Sequence, residues 1–315
     1  MTMTRDNPFR IAHISDLHMC ALEELDTREI LNKRILGYLS WRLHRKNIHR
    51  NEVLTALLQD LQTLNPDHTV ITGDLTHLGT PRQFEMAGQF LHALGKPADI
   101  TVIPGNHDAY VKTDRDKTLA LWSDYMVSDQ NPHHPDEAKD DDMEWPSLRV
   151  RGSTALIGVS TARPSAPFFA TGRVGRIQLQ RLENILQSLG RQNLCRVILI
   201  HHPPAAGVVG RRRRLTDAAA FRAVLKRCGA ELVLHGHVHR TSITRLSTPA
   251  GRVASISVPS TSALSQKEKR RARYHVYHVS RVSTGWEVML SVRGYSQKDN
   301  KFKAEGKPGS LKKLS

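Results

Sequence analysis

From Phe9 onward the chain alternates short apolar runs with longer amphipathic ones, and that alternation narrows the folds open to it. The short runs are 9–14 (FRIAHI), 69–72 (TVIT), 99–103 (DITVI), 154–159 (TALIGV), 196–200 (RVILI) and 231–234 (ELVL). They are nearly continuous in apolar residues, as strands covered on both faces are. Between them lie helical patterns. In 52–64, Val53, Leu54, Leu57, Leu58, Leu61 and Leu64 recur at helical spacing behind a cap at Asn51. Pro81 opens 82–94, with Phe84, Ala87, Phe90, Leu91 and Leu94 as its buried stripe. Segments 175–189 and 216–227 follow the same pattern, the latter capped by Thr216. Strand–helix alternation predicts a layered α/β fold with a buried sheet.

Three stretches break the rhythm. Residues 20–50 read as a basic amphipathic insertion, and 127–146 as a polar, acidic surface loop. After 240 the helices cease, and 252–258, 273–279 and 285–293 alternate like antiparallel strands. The expected organisation is one domain over 1–295 and a basic, disordered tail over 296–315, rich in Lys, Gly and Ser. The N-terminus lacks an apolar stretch of signal-peptide length, no apolar run is long enough to span a bilayer, and Cys20, Cys195 and Cys228 form no CxxC pair. These features predict a cytoplasmic protein.

The chemistry gathers at the strand ends. Strand 9–14 runs into Asp16-Leu17-His18, strand 69–72 into Gly73-Asp74-Leu75-Thr76-His77, and strand 99–103 into Gly105-Asn106-His107-Asp108. Strand 196–200 runs into His201-His202-Pro203-Pro204, and strand 231–234 into His235-Gly236-His237-Val238-His239. Open α/β sheets place their ligands at the carboxyl ends of strands. Asp-Leu-His or Gly-Asp-Leu taken singly is an ordinary turn. Five polar clusters at five strand ends are not, because desolvated imidazoles without partners are costly. Carboxylate, imidazole and carboxamide without thiolate suit Mn, Fe or Zn. The clusters together offer more such donors than one ion needs. Two ions sharing one carboxylate account for the surplus, and such a pair can hold a hydroxide for in-line attack on a phosphoryl group.

The ordered set Asp16-Leu17-His18, Gly73-Asp74, Gly105-Asn106-His107-Asp108, His201-His202-Pro203 and Gly236-His237-Val238-His239 resembles the calcineurin-like metallophosphoesterase family, over roughly residues 9–240. The resemblance implies a four-layer α/β/β/α sandwich with mixed central sheets, and two divalent metal ions. It implies Asp16, His18 and His239 on the first metal, Asn106, His201 and His237 on the second, and Asp74 as the bridge. His107 would be the histidine that contacts the phosphate and protonates the leaving oxygen, and Asp108 would orient it.

The implied reaction is hydrolysis of a phosphodiester or pyrophosphate bond. For the substrate, basic segments supply the clues. In 28–50, Ile30, Leu31, Ile35, Leu36, Leu39, Trp41 and Leu43 interleave with Arg28, Lys33, Arg34, Arg42, Arg45, Lys46 and Arg50, so this helix either lies on an anionic membrane or packs its apolar face on the domain. The segment from Asn32 to Arg42 is similar to an insertion of the chlamydial-type UDP-2,3-diacylglucosamine pyrophosphatase branch, which implies a UDP-linked lipid at the membrane surface. Class III cyclic-nucleotide phosphodiesterases share the other motifs and are the alternative. Arg211, Arg212, Arg213 and Arg214, with His202, are candidate substrate contacts, since guanidinium groups hold phosphate bidentately. The net charge of +16 also admits nucleic acid, as a less favoured partner.

Overall fold

The computed structural model describes residues 7–20, 34–35, 38, 48–111, 117–129, 145–265 and 267–311. Its core is a pair of six-stranded mixed sheets. The strands are β1 (Phe9–Ile14), β2 (His68–Ile71), β3 (Ile100–Val102), β4 (Ser147–Arg151), β5 (Thr154–Val159), β6 (Cys195–Ile200), β7 (Leu232–His235), β8 (Ser242–Thr248), β9 (Gly251–Ser257), β10 (Arg273–Val282), β11 (Gly285–Ser296) and β12 (Lys301–Ser310). One sheet runs β12-β11-β10-β1-β2-β3 and the other β4-β5-β6-β7-β9-β8. Within them β1, β2 and β3 are parallel, as are β5, β6, β7 and β9.

The period of two along each strand explains the layering. On β1, Ile11 faces the other sheet and packs in a shared core with Val70, Val197, Leu199, Leu232 and Leu234. Ala12 and Ile14 face outward, under α1 (Asn51–Leu64) and α2 (Pro81–Leu94). On the far side, Ile157, Ile198, Ile200 and Val233 are covered by α3 (Arg176–Arg191) and α4 (Ala218–Cys228). Both faces of the central strands are therefore dry, which is why they read as unbroken apolar runs. The result is the expected four-layer α/β/β/α sandwich.

Several local expectations are corrected. Asn51 does not cap α1 but is its first helical residue, and Arg50, at the cap position, makes no side-chain cap hydrogen bond. At α2, by contrast, Thr80 is a true cap, its side chain accepting from the Gln83 amide. Thr216 does not cap α4; its hydroxyl donates to the Gly172 carbonyl, and Asp217 occupies the cap position. Asp217 turns its carboxylate to the Val174 and Gly175 amides instead. Residues 301–310 are not a disordered tail but the edge strand β12. Phe302, only 2% exposed, drives this: its ring packs on Tyr274 and Tyr295 while the lysines face solvent. Pro308 is tolerated because β12 has a neighbour on one side only. Among the described residues, no helix is long and apolar enough to cross a membrane.

Candidate metal centre

The turns after β1, β2 and β3 and those after β6 and β7 converge on one end of the sandwich, where the two sheets meet. Backbone hydrogen bonds lace them together: Asp16 N to Gly73 O at 2.9 Å, His18 N to Asp74 O at 3.0 Å, and Gly236 N to His201 O at 3.2 Å. Such close approach needs residues without side chains. A Cβ on Gly105 would overlap the Asp74 carboxylate, and one on Gly236 would overlap Ser15 and Asp16. The backbone is also forced. Asp16, His18, Asp74, His237 and His239 all have φ between 46° and 69°, the left-handed region that non-glycine residues seldom enter. Strain of this kind persists where the surrounding structure imposes it, characteristically at functional sites.

Two donor groups result. Asp16, His18, Asp74 and His239 form one; Asp74, His201 and His237 form the other, and in each the ligating atoms lie within 4.8 Å of one another. Asp74 belongs to both. In the first group, His239 Nε2 lies 3.1 Å from both Asp16 Oδ1 and His18 Nε2. In the second, His201 Nε2 is 3.3 Å from Asp74 Oδ2 and 3.2 Å from Asn106 Oδ1, which brings Asn106 into the set.

Three histidines are held with a defined nitrogen inward. A carbonyl only accepts, so the ring nitrogen facing it carries the hydrogen. His201 Nδ1 donates to Thr72 O at 2.6 Å, His18 Nδ1 to Thr76 O at 3.3 Å, and His237 Nε2 to Arg213 O at 2.9 Å. The opposite nitrogen of each keeps its lone pair for the centre, as metal-ligating imidazoles do. Burial, helped by repulsion from neighbouring imidazoles, holds His18 and His237 neutral, with pKa values well below the usual range. Burial alone would raise the pKa of Asp74, but His201 and His107 outweigh it and hold the carboxylate ionised. His201 shows the reverse balance: burial favours its neutral form, yet Asp74 raises its pKa. Neutral imidazoles, carboxylates and a carboxamide oxygen converging in this way fit a divalent ion pair.

His107 stands beside the first group, 4.8 Å from His18 ring to ring. Its Nδ1 donates to His77 O at 2.5 Å, and its backbone N–H donates to Asp74 Oδ1 at 2.8 Å. Asp108 does not orient the His107 ring, contrary to expectation. Its carboxylate accepts from the amides of Gly105 at 2.9 Å and Thr76 at 2.9 Å and from the Thr76 hydroxyl at 3.0 Å, so it staples the turns after β2 and β3 together. Burial and the charge of Asp74 raise its pKa to about 6.

Residues not assigned a role from the motifs also build the site. His77 stacks on His107 at 5.4 Å, and the His49 ring lies 4.8 Å from His18. His18, His77 and His107 form a further donor group, but His18 has one nitrogen to give and the first group uses it. Ser260 and Ser262 donate to Asp16 O at 2.6 Å and Leu17 O at 2.7 Å, fixing the first turn from 244 and 245 residues away. The one clue to them was the small polar run Ser260-Thr261-Ser262 after an apolar strand.

The predicted substrate contacts divide. His202 is fully buried with both ring nitrogens engaged, Nδ1 with Thr161 Oγ1 at 2.7 Å and Nε2 with Ala170 O at 3.2 Å, so it faces no substrate. Arg213 donates from Nη2 to His237 O at 2.9 Å, and Arg212 lies 5.8 Å over the Phe169 ring. Arg211 and Arg214 line a cavity of about 350 Å³ with Pro203, Leu215, Thr216 and Arg222. Of the insertion, Arg34 is described and buried, donating to Leu78 O at 3.0 Å and Gly79 O at 2.5 Å, so it belongs to neither a membrane nor a solvated face. The other basic residues of 28–47 lie outside the described residues.

Comparison with known proteins agrees with this geometry. A family model for calcineurin-like phosphoesterases matches residues 9–241. A 3′,5′-cyclic-nucleotide phosphodiesterase of Nostoc sp. is 25% identical over 243 residues, 76% of this chain and 74% of that protein. A glycerophosphodiester phosphodiesterase of Enterobacter lignolyticus is 32% identical over 98 residues, 31% of this chain and 29% of that one. Among solved structures, a dimetal phosphatase from Danio rerio shares the fold with a TM-score of 0.62 at 14% identity, over 95% of this chain and 99% of that chain.

Proposed function

The chain belongs to the calcineurin-like phosphoesterase family, and from that premise we propose that it hydrolyses a phosphodiester bond in a nucleoside-bearing substrate of cyclic-nucleotide type. The observation that carries this reading is a pair of donor groups joined through one carboxylate, Asp74, with His107 beside them. Asp16, His18 and His239 would hold one ion and Asn106, His201 and His237 the other, with Asp74 shared between them. A divalent ion pair bound there would supply Lewis acidity and neutralise charge developing in an in-line displacement.

The chain's own side chains do the rest. Because His107 Nδ1 is committed to the His77 carbonyl, Nε2 is the atom that reaches the phosphoryl group. Protonated there, His107 donates to the leaving oxygen as its bond to phosphorus breaks. Asp74 meanwhile accepts from the His107 backbone amide, tying the proton donor to the bridging ligand. The cyclic-nucleotide activity named for the Nostoc relative, which matches three quarters of this chain, supports the diester reading.

A second reading, a substrate with two phosphates such as a UDP-linked lipid, draws on Arg211, Arg214 and Arg222 around the adjoining cavity. A turnover screen with Mn²⁺ separates the two, using 3′,5′-cAMP, a UDP-linked lipid in detergent micelles and single-stranded DNA. Hydrolysis of cAMP to 5′-AMP is expected. Turnover of the lipid diphosphate alone would replace the first reading with the second, and no turnover of any of the three would refute both.

A further inference from the structure

Nine non-glycine residues among those described have a left-handed backbone. Five are the candidate ligands named above, and three are Asn65, Asn193 and Asn300, a residue type that tolerates this conformation. The ninth is Phe168, with φ of 65°. It occupies the third position of the tight turn Ala166-Pro167-Phe168-Phe169, closed by Phe169 N donating to Ala166 O at 3.0 Å. Proline at the second position with positive φ at the third calls for glycine there. The chain instead carries a phenylalanine, 74% exposed, followed by Phe169 at 43% exposure. A strained aromatic ring held out in water stabilises nothing in the fold, so its use lies outside the fold.

The turn is built into the metal centre. Ala170 N donates to Arg212 O at 2.8 Å and Gly172 N to Arg214 O at 3.2 Å, which zips this segment to the arginine run. From there one hydrogen bond reaches the buried His202, whose Nε2 meets Ala170 O at 3.2 Å, and another the candidate ligand beside it, His237, whose Nε2 meets Arg213 O at 2.9 Å. The Arg212 guanidinium lies 5.8 Å from the Phe169 centroid, a cation–π contact that fixes one ring. Two adjacent aromatic side chains, one of them under an arginine, match a planar aromatic group joined to an anion.

We propose that Phe168 and Phe169, with Arg212, form a stacking platform for the base of a nucleotide whose phosphate lies at the metal centre. This rests on the phosphodiesterase reading and names its substrate class as nucleoside phosphate esters. Stacking on an aromatic side chain tolerates every base, so the platform confers preference for nucleotides without choosing among them. A lipid surface is the competing occupant. A single turn presents little apolar area for a bilayer, and the rigid turn suits one flat ring.

The test compares wild type with Phe168→Ala, Phe168→Tyr and Phe168→Gly in the metal-loaded enzyme. Phe168→Ala is expected to raise the KM for cAMP about 10- to 100-fold relative to the KM for glycerophosphoethanolamine, a diester without an aromatic ring. Affinity for 5′-AMP, measured by calorimetry, falls by the same factor, and Phe168→Tyr restores both. Phe168→Gly loses the affinity while its Tm holds or rises, because glycine relieves the turn. An unchanged KM ratio and AMP affinity in Phe168→Ala would overturn the platform, as would a lower Tm in Phe168→Gly. Loss of binding to vesicles containing phosphatidylglycerol, with AMP affinity intact, would assign the turn to a lipid surface and overturn it too. Should the wild type hydrolyse neither diester, the functional reading fails, and AMP calorimetry still decides the platform.

Discussion

Arg213 offers a sharp test of how the second donor group is held. Its Nη2 donates to His237 O at 2.9 Å, while its own carbonyl accepts from His237 Nε2 at 2.9 Å. The side-chain bond therefore holds the loop whose carbonyl orients the imidazole. Replacing Arg213 by alanine deletes the first bond and frees the second to drift. A hydrogen bond from a charged donor contributes roughly 1.5–3 kcal/mol, and loss of a partner behind a metal ligand costs about 10- to 100-fold in affinity. Arg213 is exposed, so solvent screening places the effect at the lower end, about tenfold. Calorimetric titration of metal-free protein with Mn²⁺ should show one of two binding steps weakened in Arg213→Ala and the other, assigned to Asp16, His18 and His239, unchanged. Arg213→Lys should recover part of the loss. If both steps keep wild-type affinity while KM for the diester rises, Arg213 contacts substrate and the positioning argument is wrong.

Other expectations follow from the same geometry. Asp74→Ala should lose both metal-binding steps and hydrolysis of bis-p-nitrophenyl phosphate together; retained activity would break the two-ion assignment. His107→Ala should keep both steps and lower kcat by about 10²- to 10⁴-fold, whereas a loss of bound metal would make His107 a ligand. Phe302→Ala should destabilise the protein by about 3 kcal/mol in urea melts, and an unchanged midpoint would return 301–310 to a dispensable tail. Burial, aided by nearby arginines, lowers the pKa of His68 and His275 from 6.5 to about 3. Below pH 6.5 the unfolded chain takes up protons that these folded rings refuse, so each group removes about 1.4 kcal/mol of stability per pH unit as pH falls toward 3. Urea melts at pH 7, 6 and 5 should show the decline, and His68→Gln should flatten it by one proton; equal stability across that range would contradict the burial argument.

Much of the architecture was legible because it rests on local periodicity. β1, β2, β5, β6 and β7 are buried on both faces, so each appears as an apolar run whatever its neighbours are. The helices α1 and α2 are amphipathic, and their stripes name their buried residues. The polar clusters could be assigned to strand ends for the same reason: a run of apolar residues stops where the chain leaves the sheet. The edge strands were harder. β12 reads as a lysine-rich tail because a single ring, Phe302, accounts for its burial, and β4 and β8 lack a clean alternation.

From the sequence by itself came the donor set: which residue types lie at which strand ends, in an order that admits two ions around a shared carboxylate. Only the tertiary structure decided what each side chain does there. Four consecutive arginines look alike in the chain, yet Arg212 lies over Phe169, Arg213 holds His237, and Arg211 and Arg214 line a cavity. Asp108 and His202, read as catalytic neighbours, turned out to bind backbone and a buried threonine. Phe168, invisible to any motif, stands out only through its φ angle. The physical reason is range. Burial and periodicity are properties of a dozen neighbouring residues, whereas a hydrogen-bond partner is chosen among groups that folding brings together from as far apart as Asp16 and Ser260.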